Sequence, residues 1–167
     1  MKRIVFMILG ALLLACCATL SPEQKAAQKA ERAKSVRTSL ANQQYRIKVT
    51  SATPMRGITH QVMGHWVKIN GDKFSCDLPY VGRDDFYRSK TIDDLRLDSK
   101  LTFESVMENY LLEREPLKNR SNISFRVSDG RERYDVTIVI EDNGKSEIRV
   151  SPEEREYIEY QGVVSDL

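Results

Sequence analysis

In Val67-Lys68-Ile69-Asn70-Gly71-Asp72-Lys73-Phe74-Ser75-Cys76-Asp77-Leu78-Pro79-Tyr80, apolar and polar residues alternate on both sides of Asn70-Gly71. A period of two places successive side chains on opposite faces of an extended chain. Asn-Gly between two such runs is a strong short-range signal for an antiparallel hairpin. Val67 and Ile69 therefore share one face, and Phe74, Cys76, Leu78 and Tyr80 share the matching face of the next strand. Trp66 and Lys68 fall on the other side.

The same pattern extends in both directions. Ile47 and Val49 alternate with Arg46 and Lys48 from Tyr45 onward. Leu95, Leu97, Leu101 and Phe103 share a parity, with a break near Ser99-Lys100. Ile123, Phe125 and Val127 meet Tyr134, Val136, Ile138 and Ile140 across Asp129-Gly130. Asn143-Gly144 leads to Ile148 and Val150, Pro152 breaks the chain, and Ile158, Tyr160 and Val164 close it. Roughly seven to nine strands with short turns describe a mainly β chain, an antiparallel meander forming a barrel or a two-layer sandwich. Val139 makes the 134–140 strand apolar on both faces, which predicts a strand covered on both sides. Residues 53–64 and 82–93 show no firm period and read as long loops, where binding sites tend to lie.

Ahead of the strands, residues 21–43 read as one helix. Ser21-Pro22-Glu23-Gln24 is a capping box with proline at the first helical position. Ala26, Ala30, Ala33 and Leu40 form its thin apolar stripe, and Lys25, Lys29, Arg32, Lys34 and Arg37 outnumber Glu23 and Glu31.

The N-terminus has a different chemistry. Lys2 and Arg3 precede an apolar run from Ile4 to Ala15, and then Cys16 and Cys17. A basic start, a short apolar stretch and small residues at its end mark a secretory signal peptide. The run is shorter than the roughly 20 apolar residues that span a bilayer. Leu13-Leu14-Ala15-Cys16 resembles the lipobox of bacterial lipoproteins, which implies cleavage before Cys16 and a lipid on its thiol. Two other readings stand beside it: ordinary cleavage after Ala18, giving a secreted soluble protein, and a buried helix, which Lys2, Arg3 and the cysteine pair fit badly. The domains follow as 1–15 signal peptide, 16–43 lipid-anchored tether and helix, and 44–167 antiparallel β domain. The expected location is the cell envelope, anchored to the outer membrane. The segment after Cys16-Cys17 lacks the acidic run associated with surface export, which favours the periplasmic side.

Removing residues 1–15 leaves about 150 residues, enough for one domain with a sizeable core. The chain carries 26 Lys+Arg against 24 Asp+Glu, and Lys2 and Arg3 account for the whole excess. A near-neutral domain lacks the overall basic footprint of a nucleic-acid binder, so no nucleic-acid partner is expected. Without a paired cysteine framework the core must stand on packing.

Candidate chemistry is sparse. His60 and His65 lack the third ligand and the spacing of a zinc site, so no metal and no cofactor are expected. Cys76 shares parity with core residues and reads as a small buried side chain. Asp84-Asp85 and Asp93-Asp94 are sequence neighbours in polar segments, an arrangement that does not place two carboxylates across one reacting bond. With no nucleophile elbow, phosphate loop or metalloprotease motif, the chain reads as a non-enzyme. Trp66 is the one tryptophan, on the parity opposite to Val67, and so a candidate binding contact or a ring covered by a neighbouring segment.

Several short pieces occur in a characteristic order: Val67-Lys68-Ile69-Asn70-Gly71-Asp72, Leu78-Pro79-Tyr80-Val81-Gly82-Arg83, Glu108-Asn109-Tyr110, Tyr134-Asp135-Val136-Thr137, Asn143-Gly144 and Ile158-Glu159-Tyr160-Gln161-Gly162. Over about residues 24–164 the chain resembles domain-of-unknown-function family 4251, uncharacterised lipoproteins of the Bacteroides type. The resemblance implies a signal and a helix ahead of the strands, and brings no activity, cofactor or catalytic residue. After Gly82-Arg83 relatives tend to carry a small Gly- and Tyr-containing loop, where this chain has Asp84-Asp85-Phe86-Tyr87-Arg88. Tyr80, Arg83 and Tyr87, with Trp66, are the candidate ligand-binding residues, and Cys16 is the lipidation site. The expected function is a membrane-anchored, non-catalytic binding or scaffold domain of unknown ligand, whose partner is a protein or a small apolar molecule. The alternative is a lipocalin-like carrier of a small apolar ligand, and an envelope hydrolase comes third.

Overall fold

A computed structural model describes residues 21–80 and 100–165. Helix α1 runs Pro22–Ala41, opened by the reciprocal cap in which Ser21 and Gln24 each bond the other's backbone N–H or side chain (3.0 and 3.2 Å). Residues 22–31 are exposed throughout, whereas Val36 and Leu40 near the C-terminal end are buried. The expected stripe is buried only at its C-terminal end, where Leu40 lies in the core with Val36, three residues after the half-buried Ala33, while Ala26 and Ala30 stay exposed. Arg32 donates to the Val164 carbonyl, and Arg37 pairs with Asp142, fixing this end of the helix to the strands.

The strands are β1 (Gln44–Pro54), β2 (His60–Gln61), β3 (Trp66–Asn70), β4 (Lys73–Pro79), β5 (Lys100–Val106), β6 (Glu108–Glu115), β7 (Arg120–Ser128), β8 (Arg133–Glu141), β9 (Lys145–Pro152) and β10 (Ile158–Ser165). Nine of them form one antiparallel path in the order β5-β4-β3-β1-β10-β9-β8-β7-β6, and the short β2 pairs with β1. Of the two closures left open by the sequence, the sheet takes neither in full. It stays single and curls into a half-barrel.

The curl has a local cause. β5 and β6 lie at opposite ends of the strand order, yet only Met107 separates them. One bent segment therefore pairs with β4 through its first half and with β7 through its second. The Ser128 backbone N–H reaches the Ser105 hydroxyl across the join at 3.4 Å. Asn109 takes a positive φ of 56° beside the bulge at this bend. A second crowded point is Gly162 on β10, where a Cβ would lie 2.6 Å from the Lys48 carbonyl oxygen beside the β1 bulge at Val49/Ser51.

Alternation decides which side is buried. Tyr45, Ile47, Val49, Val67, Ile69, Phe74, Cys76, Leu78 and the even positions from Tyr134 to Ile140 all face the interior. Rings from the two arms of the curl meet there: Phe74 and Phe125 at 5.2 Å between centroids, Phe103 and Tyr134 at 5.3 Å. Aromatic pairs at such separations add to the area they bury.

Four expectations need correction. Val139 is only half-buried, in a shallow recess on the outer face, so β8 is covered on one side. Thr53 and Pro54 continue β1, and His60-Gln61 forms β2, so residues 53–64 are less irregular than their composition implies. The two residues of the first hairpin loop are Gly71-Asp72, with Asn70 still paired to Lys73. β6 was hidden, because most of its residues are exposed and no alternation marks it.

Candidate functional site

Two surfaces carry polar chemistry together with an aromatic residue. The first is the rim where β4 ends. Tyr80 keeps the inward parity of Phe74, Cys76 and Leu78 and is buried, and its hydroxyl donates to the Glu156 carbonyl at 2.7 Å. The Arg155 guanidinium lies 4.2 Å from the centre of the Tyr80 ring. Arg155 also donates to Glu132 at 2.5 Å and to the Tyr134 hydroxyl at 3.4 Å. Tyr134 in turn donates to Asp129 at 2.8 Å, and Tyr160 donates to the Pro79 carbonyl at 2.8 Å. The tip Asp129-Gly130-Arg131-Glu132 folds this way because Asp129 caps the backbone N–H groups of Arg131 and Glu132 (2.8 and 2.9 Å).

The electrostatics follow from these contacts. Burial, reinforced by the Asp129 carboxylate, holds the Tyr134 phenol well above its ordinary range. Burial pushes the Asp129 carboxyl up, but the N–H groups of Glu132 and Arg131 and the Tyr134 hydroxyl outweigh it and leave it below the usual value. Each member of this chain has its partner, so the rim is a closed network that fixes the hairpin tip against the end of β4. Cys76 lies inside, its thiol pushed up to about 12 by burial and directed at the Leu101 carbonyl (3.5 Å). A thiol held neutral at physiological pH is a poor nucleophile.

The second surface is the outer face of β1 and β3. Trp66 points outward, opposite to Val67, and is half-buried. The Arg46 guanidinium covers its ring at 4.7 Å from the centroid. Register places Lys48 directly across from Trp66, and Arg46 across from Lys68. On the other side of β1, Lys48 faces Val163, which faces Lys145. Four cations thus surround Trp66 and the exposed Val163. Carboxylates border the group: Asp77, directly across from Trp66 on β4, pairs with His65 (3.3 Å), Glu104 pairs with Lys73 (3.0 Å) and also acts on Lys68, and Glu147 lines the same recess as Lys145 and Val163.

The sheet separates the candidates instead of assembling them: Trp66 is on the outer face, and Tyr80 is at the inner rim. Cys16, Arg83 and Tyr87 lie outside the described residues, as do Asp84-Asp85 and Asp93-Asp94. His60 sits on β2 and His65 is committed to Asp77, and among the described residues no three metal-ligating side chains cluster. Sequence reasoning missed Arg155, Glu132, Asp129 and the grouping of Arg46, Lys48, Lys68 and Lys145. The capped Asp-Gly tip was a usable signal for the first set. The second needed the β1–β3 and β1–β10 registers.

A curled antiparallel half-barrel with one preceding helix defines the class of domain. The sequence profile of the DUF4251 family, a domain of unknown function, matches residues 27–164, and the chain belongs to that family. It is similar in structure to a DUF4251 family protein from Bacteroides eggerthii DSM 20697, whose crystal structure at 1.95 Å resolution superposes with a TM-score of 0.63. The identity is 11%, over 83% of this chain and 89% of that one, a likeness of fold. No curated protein matches the chain.

Proposed function

We propose that this protein is a lipid-anchored envelope lipoprotein whose half-barrel serves as a non-catalytic binding or scaffold domain. The anchor rests on one observation: Leu13-Leu14-Ala15-Cys16 ends an apolar run opened by Lys2 and Arg3. The proposed location is the outer membrane, and the residues after Cys16 favour its periplasmic side. No helix among the described residues is long and apolar enough to cross a membrane.

The reading of the domain as a binding module draws on how its polar groups are used. At the Tyr80 rim they satisfy one another, and the Cys76 thiol is buried. A scaffold suits the interior better than a carrier of apolar ligands does, since rings from both arms meet across it.

The test is mass spectrometry on the protein purified gently from its native membrane, beside a Cys16→Ala form. The expected result is an acyl mass on Cys16 as the mature first residue, and no acyl mass on the Cys16→Ala form. A mature chain starting at Thr19, or an unmodified Cys16, would overturn the anchor. Digestion of the domain by protease added to intact cells would overturn the periplasmic placement.

A further inference from the structure

We propose that the outer face of β1 and β3 docks on an anionic lipid bilayer, with Trp66 and Val163 at the interface and Arg46, Lys48, Lys68 and Lys145 on headgroup phosphates. The first observation is an unfavourable arrangement left in place. Arg46 and Lys68 are directly opposed on neighbouring strands, and like charges in that position repel. Elsewhere on the outer face the sheet avoids this, pairing Arg120 with Glu115 (3.0 Å), Arg126 with Asp135 (2.9 Å) and Arg149 with Glu159 (2.5 Å). Among the described residues no carboxylate forms an ion pair with Arg46 or Lys48, although Asp77 lies across from Trp66 and pairs with His65. An external anion would complement these two cations.

The second observation is the composition at the centre of the patch. Trp66 carries Arg46 stacked on its ring, and Val163 is 42% exposed between Lys48 and Lys145. Tryptophan ringed by long cationic side chains is the pairing that settles at a membrane–water interface, where the ring sits at headgroup depth and the cations meet phosphates. A soluble polyanion would satisfy the cations and leave Val163 in water. The choice of a bilayer rests on the lipoprotein reading, because a lipid on Cys16 keeps the domain near a membrane surface.

The experiment uses the full chain carrying Cys16→Ala, so that no acyl chain contributes, and phosphatidylcholine vesicles with and without phosphatidylglycerol. Trp66 is the only tryptophan, so its emission reports this face alone. The expected result is sedimentation with the anionic vesicles only, at about 0.15 M salt, with a blue shift of the emission. Lys48→Gln and Lys68→Gln should each weaken binding about fivefold, as befits one surface cation. Arg149→Gln, on the paired part of the sheet, should change it less than about twofold. All variants share one N-terminus, so its contribution cancels. Binding equal on both vesicle types, unmoved emission, insensitivity to Lys48→Gln and Lys68→Gln, or a shift with dextran sulfate but not with vesicles would each overturn the proposal. Failure of the lipoprotein reading shows separately, as a missing acyl mass on wild-type Cys16.

Discussion

The outer face of this sheet solves one problem in two ways. Arg120 and Arg126 on β7 and Arg149 on β9 each face a carboxylate on a neighbouring strand within 3.0 Å. On β1 and β3, Arg46 opposes Lys68, and Lys48 has Trp66 for its neighbour. Exposed ion pairs contribute little to stability, roughly 0–1 kcal/mol each. The pairing on one side therefore matters less for stability than for keeping that side electrically quiet. The other side is left charged, and the two meet along β10, where Glu159 pairs with Arg149 while Val163 lies between Lys48 and Lys145.

Breaking the boundary should have the largest effect. Gly162→Val would push a side chain into the Lys48 carbonyl and the Ile47 methyl, at 2.6 and 2.7 Å already for a Cβ. Overpacking of this kind costs typically about 1–3 kcal/mol, and here backbone must move. A fall in thermal midpoint of several degrees is expected by calorimetry, and an unchanged midpoint would show that β1 and β10 can part without cost.

Next comes Tyr160→Phe, which leaves the Pro79 carbonyl without its 2.8 Å partner inside the sheet. An orphaned buried acceptor costs about 1–3 kcal/mol. The urea midpoint should drop with no change in slope, whereas vesicle binding by the outer face should persist.

Acid separates the two regions. Lys118 first, then Asn122 and Arg120, hold the Glu115 carboxyl at about 2 instead of its ordinary 4.5. A depressed carboxyl contributes stability above its unfolded value, and the contribution is lost as pH falls from 4.5 toward 2. Urea midpoints across that window should fall less steeply in Glu115→Gln than in the parent. Equal slopes would mean that the pairing is not formed in solution.

The smallest change has the sharpest reading. Lys68→Glu places a carboxylate opposite Arg46 and should stabilise the fold by about 0.2–1 kcal/mol. The same variant should lose anionic-vesicle binding. A gain in stability alongside a loss of binding would show that the charged region is kept for something other than holding the sheet together.

Alternation made most of this fold readable. Where one face is buried and the other wet, as in β1, β7, β8 and β9, each side chain's parity fixes its side, and three glycine turns mark where the chain reverses. β6 was not readable for the same physical reason. Tyr110 alone packs against the core, on Phe125, whereas Leu111, Leu112 and Glu113 are all exposed, so no period of two was written into the segment. Parity also placed Trp66 correctly on the outer side, but it says nothing about which strand lies alongside. That Lys48, Val163 and Lys145 form one row across three strands follows from register, which a single sequence does not encode locally. The Arg155–Tyr80 stacking depends on a loop returning to a distant strand end, and long-range contacts of that sort leave no periodic trace.

The first strand of the sheet lies beside the last. β1 pairs with β10 over most of its length, Arg46 with Ser165 through to Pro54 with Ile158. During synthesis, residues 44–54 have no neighbour on that side until the final stretch of chain has been made. Folding rates fall as such distant pairings dominate, to the millisecond-to-second range for sheets of this kind. A polypeptide built this way cannot complete its central pairing until its last strand has been made.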